Sequence, residues 1–201
     1  MRIGIFGGTF DPPHLGHLIL AAEAYHQLKL KRLLWVLTPL PPHKPGRPIS
    51  PVEQRLVLLQ AAISGNPAFE LSRVDIDRQP PHYALDTVRI LKSQIPGAKF
   101  VYLMGGDSLH DLPTWYRPRD FTAACDFLGV MRRPSDQADL NALEAAIPGV
   151  SKKVCFVDAP LLDISSSDIR RRISQGKPFR YFLPQEVFEL IQAQGFYGSL
   201  T

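Results

Sequence analysis

Apolar residues along this chain alternate between two periods. Short runs of the kind a buried parallel strand shows recur at Arg2 to Phe6, Arg32 to Thr38, Phe69 to Ile76, Phe100 to Met104, Cys125 to Met131 and Lys153 to Val157. Between them the spacing turns helical. Leu18 to Leu30 puts Leu18, Ala21, Ala22, Tyr25 and Leu28 on one face, Pro51 to about Ser64 does so with Leu56, Leu59 and Ile63, and Tyr83 to Ile95 with Leu85, Val88 and Leu91. Ser108 to Leu112 and Asp139 to Ala146 read as shorter helices. Pro184 to Gln194 reads as an amphipathic helix whose Val187, Leu190 and Ile191 should pack back onto the sheet. Strand and helix therefore alternate, which predicts an α/β fold: a doubly wound parallel sheet with right-handed crossovers, helices on both faces and a small C-terminal helical segment. Nothing between Met1 and Asp158 reads as a repeat or linker, so residues 1–201 are expected to form one domain, with a core over 1–158 and a helical part over 159–201.

Composition narrows the class without naming a chemistry. With 201 residues, 45% of them hydrophobic, the chain can bury a substantial core. A net charge of +4 suits phosphorylated substrates and equally suits weak nucleic-acid contact. The basic residues are scattered, however, and lack the aromatic interleaving of an RNA-binding platform, so no nucleic acid is expected as a partner. Cys125 and Cys155 both lie in apolar runs and read as reduced core residues, which leaves no disulfide scaffold and no zinc cluster. No charged start leads into an apolar segment and no run reaches membrane-spanning length, so the expectation is a cytoplasmic protein with no membrane partner.

Chemistry is concentrated where the first strand passes into the first helix, RIGIFGGTFDPPHLGH from Arg2 to His17. The strand stops at Gly7 and Gly8, where backbone can approach a ligand closely. Thr9-Phe10-Asp11-Pro12-Pro13 then stays extended because the prolines remove amide donors, and helix resumes only around Gly16 and His17. Such a layout aims backbone N–H groups and the positive end of a helix dipole at an anion, with His14 and His17 at its mouth. Read singly, these histidines are equally consistent with caps or surface residues. Two further stretches have the same character. Phe100 to Met104 runs into Gly105-Gly106-Asp107 at the end of a strand where parallel sheets open their ligand crevice, and Asp107 either accepts from a ribose hydroxyl or caps the next helix. In ISSSDIRRR, Ile164 to Arg172, Ser165 followed by Asp168 signals a capped helix start with a basic face; Arg171 and Arg172 do not share the face of Arg170.

Taken together these stretches resemble the nucleotidyltransferase superfamily. Gly8 to His17 matches its GxFxPxHxGH signature, unlike the dinucleotide-binding and Walker glycine patterns, and Ile164 to Arg170 matches ISSTxIR with Ser167 in place of the usual threonine. The stretches PPHK from Pro41 to Lys44, the helix start at Tyr83, GGDSL from Gly105 and LPTWYR from Leu112 follow in the order of one branch, the bacterial nicotinate mononucleotide adenylyltransferases, so that the resemblance covers almost the whole chain. It implies a Rossmann-like sheet and attack by a phosphate oxygen of nicotinate mononucleotide on the α-phosphorus of ATP, expelling pyrophosphate. It also implies Mg²⁺ accompanying ATP, with no metal-ligand cluster in the protein.

Carried over residue by residue, the resemblance places ATP at Gly7, Gly8, Thr9, Phe10, His14, His17, Gly105, Asp107, Arg133, Ile164, Ser166, Ser167 and Arg170. Catalysis would rest on His14, His17, Lys44 and Arg170, and the mononucleotide would meet Thr9, Lys44, Tyr83, Ala84, Asp107, Trp115 and Tyr116. Trp115 reads either as a hydrophobic plug over the sheet end or as a stacking platform for the positively charged pyridine ring. The resemblance places the ring's carboxylate against backbone N–H groups at Tyr116 and Ala84, and the latter position usually holds threonine. Nicotinamide mononucleotide or phosphopantetheine remains an alternative acceptor, because the ATP-handling motifs are shared. A non-catalytic nucleotide-binding module is the alternative of another class.

Overall fold

A computed structural model of the chain describes residues 1–41, 48–131, 139–160 and 162–198. Among the described residues, β1 (Arg2–Gly8), β2 (Arg32–Leu37), β3 (Phe69–Ser72), β4 (Lys99–Gly105), β5 (Phe127–Met131) and β6 (Val154–Val157) pair in parallel in the order β3-β2-β1-β4-β5-β6. Ile3 lies opposite both Arg32 and Phe100. The chain winds outward from β1 to β3, then crosses back to β4 and winds the other way. The carboxyl ends of β1 and β4 are thus the switch point at which such sheets bind ligands.

The period of two sorts each strand's side chains between two cores. On one face Ile3, Ile5, Leu34, Val36 and Phe100 meet Leu85, Val88 and Leu91 of α3 (Ala84–Gln94), Leu109 of α4 (Gly106–His110), Phe121 of α5 (Pro118–Ala124) and Leu143 of α6 (Leu140–Ala146). On the other, Phe6, Leu33, Trp35 and Leu37 meet Ala21 and Ala24 of α1 (Leu15–Gln27) and Leu59 and Ile63 of α2 (Val52–Ile63). A third cluster joins Leu58, on the adjacent side of α2, to Ile169 of α7 (Ser166–Ser174) and to Val187 and Ile191 of α8 (Gln185–Gln194). The last helix therefore packs on α2 and α7 rather than on the sheet, whose face there is already covered by α1 and α2.

Several local expectations change. The third strand stops at Ser72 because the chain turns at Val74–Asp77, with Asp77 N–H bonded to Arg73 C=O, sending Val74 and Ile76 to different cores and the Asp75 carboxylate inward. The fifth strand starts at Phe127 rather than Cys125, because Pro118 opens α5 and Cys125 closes it. A proline at the first helical position starts a helix as readily as it stiffens a loop. The helix after β4 begins at Gly106 with Gly105 as its N-cap, so Asp107 is a first-turn residue and not the cap. Cys125 is buried and Cys155 only half-buried, and both are free thiols.

Candidate active site

The loop leaving β1 is held in a conformation that its own sequence does not favour. Phe10 has φ 47°, a region costly for a bulky side chain. Its ring compensates by full burial, edge-on to Phe6 at 5.5 Å and His17 at 5.2 Å and tilted on Trp35 at 5.2 Å. Gly8 is needed for this packing, since a Cβ there would stand 2.9 Å from the Phe10 ring. Phe10 thus supports the site from beneath, leaving only its backbone to meet a ligand. Arg55 of α2, 1% exposed, donates to the carbonyls of Thr9, Thr38, Pro39 and Ser50 at 2.9–3.0 Å. One buried guanidinium thereby ties the ends of β1 and β2 to the start of α2. Burial pulls its pKa below the ordinary arginine value, while the Asp11 carboxylate opposes that shift.

At the mouth of the loop His14 is the N-cap of α1 and stacks on His17 with ring centroids 3.7 Å apart. Gly16 allows this, because a Cβ would meet the His14 ring at 3.0 Å. The His14 N–H donates to His17 Nδ1 at 3.2 Å, which leaves neutral His17 with its proton on Nε2. His14 is 6% exposed, and burial pushes its pKa down to about 4. Its buried Nδ1 has no partner among the described residues.

The second motif docks directly on the first. Ser166 Oγ donates to Pro12 C=O at 2.8 Å and Arg170 Nη1 to Asp11 C=O at 2.6 Å, across more than 150 residues of chain. Ser165 caps α7 through the Asp168 N–H at 3.1 Å. The amides of Ser166 and Ser167 then remain as the first-turn donors that a helix leaves to other partners. Ile164 approaches Gly16, its Cβ lying 3.8 Å from where a Cβ on that glycine would stand. Arg171 and Arg172 turn to Asp168 instead, lowering its pKa, and Arg172 also lies over the Phe182 ring at 4.6 Å.

Beside this anion-facing cluster a cavity of about 540 Å³ opens at the β1/β4 switch point. Gly7, Gly8, Thr9, Gly105, Tyr83, Ala84, Trp115 and Tyr116 line it. A Cβ on Gly105 would meet nothing within 4 Å, so this strand end faces open space. The Trp115 ring packs against Phe121 at 5.2 Å and Tyr102 at 6.1 Å and also lines the cavity. Tyr83 and Tyr116 stack at 4.0 Å. Ala84 and Leu85 bring the first turn of α3 to the cavity, again a set of amides without helical partners.

Asp107 is exposed beside the cavity rather than in its lining, and Lys44 and Arg133 lie outside the described residues. Sequence reasoning missed Arg55, Asp75 and His82. Asp75, 2% exposed, lines the cavity and accepts from Thr87 Oγ1 at 2.7 Å and Arg78 at 2.9 Å. His82, 5% exposed, lines it too, with a pKa lowered chiefly by burial and a buried, unpaired Nδ1 among the described residues. A charged residue inside an otherwise apolar helix face, as Arg55 is, was the one signal available.

Comparison with known proteins sets this geometry in a family. Residues 5–172 match the model of the cytidylyltransferase-like family. A protein of Thermomicrobium roseum named "Probable nicotinate-nucleotide adenylyltransferase" is 46% identical over 99% of this chain and 92% of its own length. One of the same name from Exiguobacterium sibiricum is 38% identical over 99% of this chain and 100% of its own. Among solved structures, a Plasmodium falciparum nicotinic acid mononucleotide adenylyltransferase complexed with NaAD superposes with a TM-score of 0.78, covering 98% of this chain and 97% of that one at 16% identity, a likeness of fold. With the family model matched over most of its length and relatives well above 30% identity end to end, the chain belongs to the cytidylyltransferase-like family and, within it, to the nicotinate-nucleotide adenylyltransferases.

Proposed function

We infer that the protein transfers the adenylyl group of ATP to nicotinate mononucleotide, giving nicotinate adenine dinucleotide and pyrophosphate, a step of NAD biosynthesis carried out in the cytoplasm by one nucleotidyltransferase domain. The observation that carries this reading is the docking of the α7 N-terminus on the histidine loop, Ser166 to Pro12 and Arg170 to Asp11, next to an aromatic cavity at the switch point. Two helix N-termini and a guanidinium converging on one place suit a polyphosphate. The adjoining cavity suits a flat ring.

No side chain needs to become covalently attached. A phosphate oxygen of the mononucleotide attacks the α-phosphorus, the bond to the bridging oxygen breaks, and pyrophosphate leaves with that electron pair. His17 donates from Nε2 and His14 from its ring to the oxygens where charge grows. Arg170 and the Ser166 and Ser167 amides hold the departing pyrophosphate, and Gly7, Gly8, Thr9, Gly105 and Asp107 receive the nucleotides. The work is positioning and charge neutralisation. Mg²⁺ is taken as an ion that accompanies the nucleotide, since the Asp11 carboxylate in the histidine loop is already occupied by Tyr197 and Ser50. When bound, it would neutralise charge between the ATP phosphates. In the cavity Trp115 offers its indole face to the pyridinium, and the amides at Ala84 and Tyr116 take the carboxylate. A carboxamide would set N–H₂ donors against those amides, leaving unpaired polar groups.

Among the described residues no helix is long and apolar enough to cross a membrane. The test is pyrophosphate release from ATP with nicotinate mononucleotide, nicotinamide mononucleotide and phosphopantetheine in turn. Release is expected with nicotinate mononucleotide at a kcat/KM at least about tenfold above the amide. Release with none of them contradicts adenylyl transfer, and equal use of acid and amide contradicts the acid assignment.

A further inference from the structure

Asp11, the residue between Phe10 and the prolines, is charged, 3% exposed and outside the set of residues that meet ATP. Its Oδ1 accepts the Tyr197 hydroxyl at 2.9 Å and its Oδ2 the Ser50 N–H at 3.2 Å. Arg170 Nη1 stands 3.7 Å from Oδ2 while it donates to the Asp11 carbonyl. Tyr197 comes from the segment after α8. There Gly195, at φ 64°, reverses the chain, Phe196 N–H bonds to Ile191 C=O at 3.1 Å, and Tyr197 itself takes φ 63°. Phe196 and Tyr197 pack on the cluster that joins α2, α7 and α8, which seats the hydroxyl against the loop. Burial and the neighbouring carboxylate both raise the tyrosine's pKa, so it remains a donor.

We propose that Tyr197 is a positioning residue for ATP: its hydroxyl fixes the Asp11 carboxylate, and Asp11 in turn sets Arg170. Without that donor, Oδ1 is left buried and unpaired. Any rotation of the carboxylate that recovers a partner moves Oδ2 away from Ser50 and Arg170. The segment after α8 thereby acts on a phosphate-binding group 27 residues upstream without touching the nucleotide. The inference rests on the reading of this cluster as the ATP phosphate site.

Equilibrium titration of ATP into wild type, Tyr197→Phe, Arg170→Ala and the double variant tests it, well below their melting temperatures, together with steady-state kinetics for wild type and Tyr197→Phe. Tyr197→Phe should weaken ATP binding about tenfold, with the KM for nicotinate mononucleotide changed less than about twofold. In the Arg170→Ala background the same substitution should change ATP affinity less than about twofold, because the two residues act as one unit. Unchanged ATP affinity in Tyr197→Phe overturns the inference, as does an equal loss in both backgrounds, which would make the tyrosine merely structural. A wild type that binds no ATP overturns the functional reading itself, and the inference with it.

Discussion

On the phosphate side of the site, Arg55, Arg170 and Ser166 direct their donors at backbone carbonyls of Thr9, Asp11 and Pro12. On the acceptor side, Trp115, Tyr102 and Phe121 meet ring against ring, and Tyr83 stacks on Tyr116. The first wall is built from directional bonds to a loop with a strained Phe10, so its geometry is fixed residue by residue. The second is built from surfaces, which tolerate substitution as long as shape persists.

The contrast breaks most visibly at Arg55. Arg55→Met keeps volume but leaves four carbonyls without their donor, so unfolding free energy should fall by about 3–5 kcal/mol in urea titration. A loss under about 1 kcal/mol would mean the wall does not depend on directional bonds. Next in size is a pH effect from His14. Its folded pKa of about 4 lies below the unfolded value of 6.5, so the unfolded chain takes up the proton first as pH falls. Stability is therefore complete above pH 6.5 and lost progressively as pH drops from 6.5 towards 4. Without nucleotide, wild type should lose about 2 kcal/mol relative to His14→Asn between pH 7 and pH 5. His82, present in both proteins, cancels in the difference. Parallel pH curves would refute a buried, neutral His14.

On the acceptor side the effects should be smaller and confined to one substrate. Trp115→Ala should raise the KM for nicotinate mononucleotide about tenfold and leave the KM for ATP within about twofold, since one cation–π and stacking surface is lost. An unaffected mononucleotide KM would return Trp115 to a packing role. Ala84→Thr should change least. Restoring a hydroxyl donor beside the carboxylate should widen the preference for acid over amide by about threefold in kcat/KM ratio. No change, or a narrower preference, would show that the amides alone set it.

How much of this was legible in the sequence follows the same division. Strand and helix periods predicted the sheet because they record which faces are covered, and the Ser165 to Asp168 cap was read correctly because it is local. What escaped was helix α5, since Pro118 is compatible with either a loop or a helix start, and the groups that hold the phosphate wall. Arg55 reaches Thr9 across 46 residues, Arg170 reaches Asp11 across 159 and Tyr197 reaches Asp11 across 186. Bonds between groups so far apart in the chain leave no period and no spacing in a sequence. The resemblance to a family named Ser166, Arg170, Tyr83, Trp115 and Tyr116 as candidates, and the geometry added Arg55, Tyr102 and Phe121 behind them.

The central claim is that the His14–His17 loop and the α7 N-terminus form one anion site at which ATP is attacked. It is tested most directly by following the adenylyl group from α-labelled ATP into nicotinate adenine dinucleotide in single-turnover reactions of wild type and His17→Ala. The account predicts label in the dinucleotide in step with pyrophosphate release, slowed on the order of 10² or more in the variant while folding and ATP binding persist. A rate within a few-fold of wild type, or pyrophosphate released without labelled dinucleotide, would contradict it.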